Sequence, residues 1–341
     1  MHAPGNARYT RAVILAGIDE AGYGPLLGPL VVGCAAFDVP GDPAADPLPC
    51  VWRQLGRVLS RNRSKTGRKL HVNDSKLVYS PGTGLKELER SVLALTAAHA
   101  DWPVDLAAFL ARVAPDAVGD VGTYPWYAPS DGEPFPFEQD AMPVRLVANG
   151  LRAEMARADA RLVHLRARVV CERQFNTMVG ATRNKASALF SVAAVHLDHL
   201  LRAYGDKGLV IVCDRQGGRS HYGSLLRLMF DEWALEITRE DDPDAGGPAA
   251  SEYRLTRGGH AVRVLFTEKA EAQCMSVAVA SMLGKYVREA LMRRFNAYWA
   301  RLIPDLVPTA GYYGDGSRFL GDIDTVRRAM GVPDEQLVRC R

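Results

Sequence analysis

Residues 12–38 read AVILAGIDEAGYGPLLGPLVVGCAAFD, and this stretch decides the fold. Ala12 to Ile18 is short, apolar and rich in β-branched residues, the signature of a buried strand, and Asp19 and Glu20 stand at its C-terminal end. Chemistry in α/β sheets collects at such ends. A second apolar run, Leu30 to Phe37, follows a glycine-rich turn, so the pair reads as a strand hairpin. Neighbouring side chains on a regular strand face opposite ways, so the two carboxylates share one site only if the chain leaves ideal geometry after Asp19. Gly22 and Gly24 make such a bend cheap. Two plainer readings compete: acids solvated in a loop, and a nucleotide-binding glycine loop. The latter is set aside, because no Lys-Ser/Thr follows and a strand, not a helix, comes next.

The 341 residues suffice for one large domain or two ordinary ones. A hydrophobic share of 48% with 24% charged residues is that of an ordinary soluble chain. No apolar run is long enough for a bilayer and MHAPGNARYTRAV lacks the apolar core of a secretion signal, so a cytoplasmic protein with no membrane partner is expected. The formal charge of +3 neither requires nor excludes a polyanionic partner. The six cysteines are scattered without CxxC pairing, so they read as reduced core residues, with neither a disulfide framework nor a zinc site. His71, His196, His199 and His221 read as structural.

Beyond the hairpin, a basic run from Arg53 to Lys69 leads into Asn73-Asp74-Ser75-Lys76-Leu77. Leucine spacing predicts a helix over 85–98. Residues 101–143, rich in Pro, Gly and aromatics, read as an inserted surface excursion whose aromatics pin it to the core. A helix over 141–158, a strand over 161–171 and one helical stretch over 175–204 follow. Leu209 to Cys213 is again an apolar strand delivering an acid, Asp214, to a glycine-containing turn. A helix over 222–230, a strand over 235–238, a charged, glycine-rich loop and a strand over 261–266 complete the sheet. Glu268 and Glu271 come next, before the helix MSVAVASMLGKYVREALMRRF. The tail reads as a turn-rich segment, AGYYGDGSRFLGDID, and a short final helix.

Three strand ends therefore present acids: Asp19 with Glu20, Asp214, and Glu271 or Glu268. Clustered carboxylates repel and persist only with cations or protons between them. Oxygen ligands favour Mg2+ or Mn2+, and two such ions can drive phosphodiester hydrolysis.

The runs Gly17-Ile18-Asp19-Glu20-Ala21-Gly22-Tyr23-Gly24-Pro25-Leu26, Asn73-Asp74-Ser75-Lys76-Leu77, Val212-Cys213-Asp214 and Ala280-Ser281-Met282-Leu283-Gly284-Lys285-Tyr286-Val287-Arg288-Glu289 resemble, in this order, ribonuclease HII, the type 2 ribonuclease H family. The resemblance implies an α/β, ribonuclease H-like fold: a mixed central sheet flanked by helices, with a C-terminal helical extension. It divides the chain into a catalytic domain over 1–284, with an insertion at about 101–160, and an extension over 285–341 packed on it. It also implies a two-metal-ion endonuclease that cuts RNA/DNA hybrid or ribonucleotide-containing DNA duplex, a nucleic-acid partner, a monomer, and two Mg2+ or Mn2+ ions. Asp19, Glu20, Asp214 and Glu271 match the catalytic, metal-holding acids, with Glu268 the alternative for the fourth. Gly22, Tyr23, Gly24, Ser75, Lys76, Lys285 and Tyr312 match substrate-binding positions, with Tyr313 the alternative to Tyr312. Two departures stand out: Tyr23 replaces the arginine of the family's Gly-Arg-Gly, and DGSRFL replaces the family's sequence after the late tyrosine. They leave open a nuclease acting on another nucleic-acid structure, or a nucleic-acid-binding protein with a weakened site.

Overall fold

The computed structural model describes residues 12–130, 132–240 and 249–340. The N-terminal segment 1–11 and most of the charged, glycine-rich loop expected near 240 lie outside the described residues.

The hairpin forms as its apolar runs dictate. Strand β1, Ala12–Ala21, pairs antiparallel with β2, Leu30–Pro40, in unbroken register from Ala12 opposite Pro40 to Ala21 opposite Val31. A two-residue pair, β3 (Leu59–Ser60) and β4 (Leu70–His71), stands apart. The main sheet continues with β5 (Arg161–Val170), β6 (Leu209–Asp214), β7 (Ala234–Arg239), β8 (Ala250–Arg257) and β9 (His260–Thr267), in the order β5-β2-β1-β6-β9-β8-β7. Within this sheet β6 runs parallel to both β1 and β9, and the other pairings are antiparallel. The expected mixed sheet flanked by helices is thus the architecture found.

Strand alternation splits the core in two. Val13 and Leu15 join the apolar cluster on one face, while Ile14, Ala16 and Ile18 join the cluster on the other. The helix Met275–Leu302 lies on the first face and the helix Lys185–Tyr204 on the second. Contact with the first helix is backbone-close. A Cβ on Gly17 would stand 2.1 Å from the Val277 nitrogen, and one on Gly33 would stand 2.1 Å from the Ala280 oxygen. Ser276 Oγ seals the approach by donating to the Leu15 carbonyl at 2.6 Å. This helix crosses positions 284 and 285 without a break.

Four elements differ from the sequence reading. The 101–143 excursion is more ordered than a surface loop, since it contains the helix Leu106–Val113 and buries Trp126 and Tyr127. Trp126 stacks on Trp299 at 6.1 Å and meets Phe295 edge-on, so the aromatics do pin it to the core. The expected helix over 175–204 is two helices, Glu172–Thr182 and Lys185–Tyr204. Arg183 adopts φ 50° and Asn184 caps the second helix by accepting from Ser187 N at 3.0 Å. β8 had no counterpart in the sequence reading, although Ser251, Tyr253 and Leu255 alternate inward. The glycine-rich tail forms the helix Tyr313–Ala329, because Phe319 and Ile323, four residues apart, enter the core and outweigh the cost of its glycines.

Candidate active site

β1 does not bend after Asp19; it stays paired with β2 through Ala21. What ends is its other ladder, since the parallel pairing with β6 stops at Ile18 opposite Cys213. Asp19 and Glu20 therefore protrude past that ladder at the sheet's cleft, and Asp19 turns back along the strand to accept from its neighbour's amide, Glu20 N to Asp19 Oδ1 at 2.8 Å. Asp214 ends β6 beside them. Its Oδ1 accepts from Ala270 N at 3.1 Å, which moors the four-residue helix Ala270–Gln273 that carries Glu271.

Electrostatics place these acids in one field. Asp19, 8% exposed, is pushed up to about 7 by burial, then by Asp214 and Glu271, against a lowering hydrogen bond from Ser281. Glu20 is raised well above the usual carboxylate range by burial, Asp19 and Asp214. Burial also raises Asp214 and Glu271, and Asp214 adds to the rise at Glu271. Lys76 faces the same cluster: burial lowers it, but Asp74, Asp19, Glu271 and Asp214 outweigh burial and raise it. Glu268 points elsewhere, its Oε1 paired with Arg215 Nη1 at 2.9 Å. Of the two alternatives for the fourth acid, Glu271 is the one whose charge interacts with Asp19 and Asp214.

A cation fits this donor set. Glu20 Oε2 is buried with no hydrogen-bond partner, and like charges in so dry a place call for positive charge between them. Among the described residues, no three of these acids bring oxygens within 4.8 Å of one another.

The remaining predicted residues surround the cluster unevenly. Gly22 has φ 83°, and a Cβ there would collide with the Arg288 side chain at 2.5 Å. Gly24 is exposed with open space above it. The Tyr23 phenol is raised by burial and by Glu20, and Lys185 Nζ lies 5.1 Å above its ring. Ser75 Oγ is 3.0 Å from Ser281 Oγ, which links the Asn73–Leu77 motif to Asp19. Lys285 stands apart from the acids; its Nζ binds Glu289 Oε1 at 2.6 Å and lies over the Tyr79 ring. Tyr312 is 52% exposed, and Tyr313 lines a cavity with Gly24, Pro25 and Lys185.

Sequence reasoning underrated two arginines. Buried Arg288 donates from Nη2 to Leu27 O at 3.1 Å and Ala310 O at 3.0 Å, tying the glycine turn to the late tyrosine segment, where Gly311 O also accepts from Leu26 N and Leu27 N. Arg339, equally buried, stacks on Phe175 at 4.0 Å and donates to the carbonyls of Gly22 and Tyr23. No local motif marks Arg339; only the fold brings it there. Asp74, quoted merely as part of a motif, adds a fifth carboxylate to the rim.

No known family profile and no curated protein matches the chain. Solved structures do resemble it. Ribonuclease HII from Archaeoglobus fulgidus, in its PCNA complex, is 16% identical with a TM-score of 0.44 over 96% of this chain and 94% of that one. Bst-RNase HIII in complex with Mn2+ is 14% identical, TM-score 0.41, over 99% and 70%. Ribonuclease H2 from Pyrococcus horikoshii OT3 is 13% identical, TM-score 0.37, over 95% and 92%. Likenesses this distant assign no activity to the chain.

Proposed function

We propose that the protein is a two-metal-ion endonuclease of the ribonuclease H kind, hydrolysing phosphodiester bonds at ribonucleotides in RNA/DNA hybrid or ribonucleotide-containing DNA duplex. The observation that supports this is that Asp19, Glu20, Asp214 and Glu271 act on one another electrostatically, beside a buried, unpartnered Glu20 oxygen. These four acids would hold Mg2+ or Mn2+, which supply an activated water and neutralise charge at the phosphate. Lys76, at the rim of the cluster, attracts the phosphate backbone. Ser281 and Ser75 hold the Asp19 carboxylate in orientation. The open backbone at Gly24 admits a close sugar approach, where a 2′-hydroxyl distinguishes RNA from DNA. Exposed Tyr312 offers a ring for the sugar or base beyond the cut. In this reading 1–284 carries the chemistry, and the 285–341 extension fixes the glycine turn through Arg288 and Arg339.

A second reading, a nuclease for another nucleic-acid structure, is favoured by Tyr23, whose ring is covered by Lys185 next to Glu20 where an arginine would present a cation. One experiment separates the two. Duplexes that carry a single ribonucleotide, RNA/DNA hybrids and branched all-DNA substrates are incubated with the protein and Mg2+ or Mn2+. Cleavage of the first two, abolished by Asp19→Asn and by Asp214→Asn, is expected. Cutting confined to all-DNA substrates supports the second reading, and cleavage that survives both substitutions overturns both.

A further inference from the structure

On the sheet face opposite the helix Met275–Leu302, three residues distant in sequence converge. Cys34 of β2 lies opposite Arg166 of β5, and Ala36, on the same face as Cys34, lies opposite His164. The helix Lys185–Tyr204 covers this face and lowers His196 onto it. Cys34, His164 and His196 are 0%, 7% and 4% exposed, and one donor atom from each lies within 4.8 Å of the other two.

We propose that Cys34, His164 and His196 form a second metal site, built for a transition-metal ion such as Zn2+ and independent of the carboxylate cluster. One thiolate with two imidazoles is a donor set that selects zinc over the hard ions magnesium or manganese. His164 Nε2 is buried without a hydrogen-bond partner, an expense that a bound ion removes. His196 Nε2 is 3.0 Å from the Val32 carbonyl. As a donor there it leaves Nδ1 free, and ligating histidines commonly anchor their other nitrogen in this way. Donor atoms in a tetrahedral zinc shell stand about 3.4–3.8 Å apart, a spacing that falls inside the bound these three atoms satisfy.

Access from solvent is also present. A cavity of about 120 Å3 opens beside the trio, lined by His164, His196, His199 and Asp116. His199, one helical turn after His196 and exposed, stacks on the His164 ring at 4.6 Å, and the fourth position of the shell is left to water from the cavity. The two arginines at the cavity are already engaged, Arg166 with the Arg112 carbonyl and Arg168 with Asp116. The site depends on no feature of the nuclease reading.

The test uses the full chain, stripped of metal and held in excess Mg2+ so that oxygen ligands are occupied. Titration with Co2+ is expected to give, at one equivalent, a thiolate-to-cobalt charge-transfer band in the near ultraviolet with tetrahedral visible bands, both erased by one equivalent of Zn2+. Cys34→Ser loses the near-ultraviolet band and His164→Gln loses stoichiometric binding, while Asp19→Asn and Asp214→Asn change neither. Should a variant fail to fold by circular dichroism, X-ray absorption of the zinc-loaded wild type decides, with one sulfur and two or three nitrogens expected. An all-oxygen shell, a band that persists in folded Cys34→Ser, or no binding at one equivalent overturns the proposal.

Discussion

Replacing Asp19 by asparagine should stabilise the metal-free protein at alkaline pH while removing its response to divalent ions. In the fold the Asp19 carboxyl is pushed from its ordinary 3.8 to about 7, first by burial and then by Asp214. A carboxyl whose folded value lies above its unfolded value binds protons more tightly in the native state. Its contribution to stability is complete below about pH 4 and lost as pH rises through about 7. The rise is about three pH units, and at about 1.4 kcal/mol each the loss is on the order of 4 kcal/mol. Glu20, Asp214 and Glu271 act with the same sign. Asparagine keeps the Oδ1 acceptor for Glu20 N and never ionises. Urea unfolding in EDTA should find the two proteins similar near pH 4.5, with Asp19→Asn the more stable by a few kcal/mol near pH 8. Glu172, also raised by burial to about 7, and His164 and His196, lowered by burial to about 3 and 4, titrate in both proteins and cancel in the difference. Saturating Mg2+ or Mn2+ should then lift the wild type far more than the variant. A variant no more stable than wild type at pH 8 in EDTA would refute this electrostatic picture.

Gly17→Ala places a Cβ 2.1 Å from the Val277 backbone and should cost about 3 kcal/mol or more, read as a shift in the urea midpoint at unchanged slope. Arg339→Ala leaves the Gly22 and Tyr23 carbonyls without their buried donor, for a loss of about 2–4 kcal/mol, and should impair cleavage without altering retained metal. Lys76→Met should weaken binding to every duplex alike and reduce the slope of log affinity against log salt by about one, measured by fluorescence anisotropy. Trp126→Ala, which empties a site 1% exposed against Trp299 and Phe295, should cost about 3–5 kcal/mol in thermal or urea unfolding.

The strands that place the acids were legible because their signal is local: Ala12–Ala21 and Leu209–Asp214 are apolar runs with a carboxylate at the end. The resemblance left Glu271 and Glu268 both open, and what tells them apart, the Arg215 ion pair that draws Glu268 away, is tertiary. The bend expected after Asp19 does not exist, because a parallel ladder that stops short exposes both acids without one, and a ladder's length is a property of two strands. The helix Tyr313–Ala329 was hidden by glycines whose local cost is outweighed by distant packing of Phe319 and Ile323. Arg339 and the Cys34, His164 and His196 trio are tertiary throughout. Their members are separated by strand crossings that no spacing rule encodes.

The helix Met275–Leu302 grips the site at two points, Ser281 against Asp19 and Arg288 against the glycine turn. Seven residues separate these points, about 10 Å along the axis and nearly two full turns. The helix is therefore a ruler between the acids that would cut a strand and the turn that would hold it. Any substitution that preserves helical packing leaves the ruler's length intact. A single-residue deletion between Ser281 and Arg288 swings one grip about 100° away from the other. Over evolutionary time this segment should accept drift in residue identity far more readily than any change in residue number.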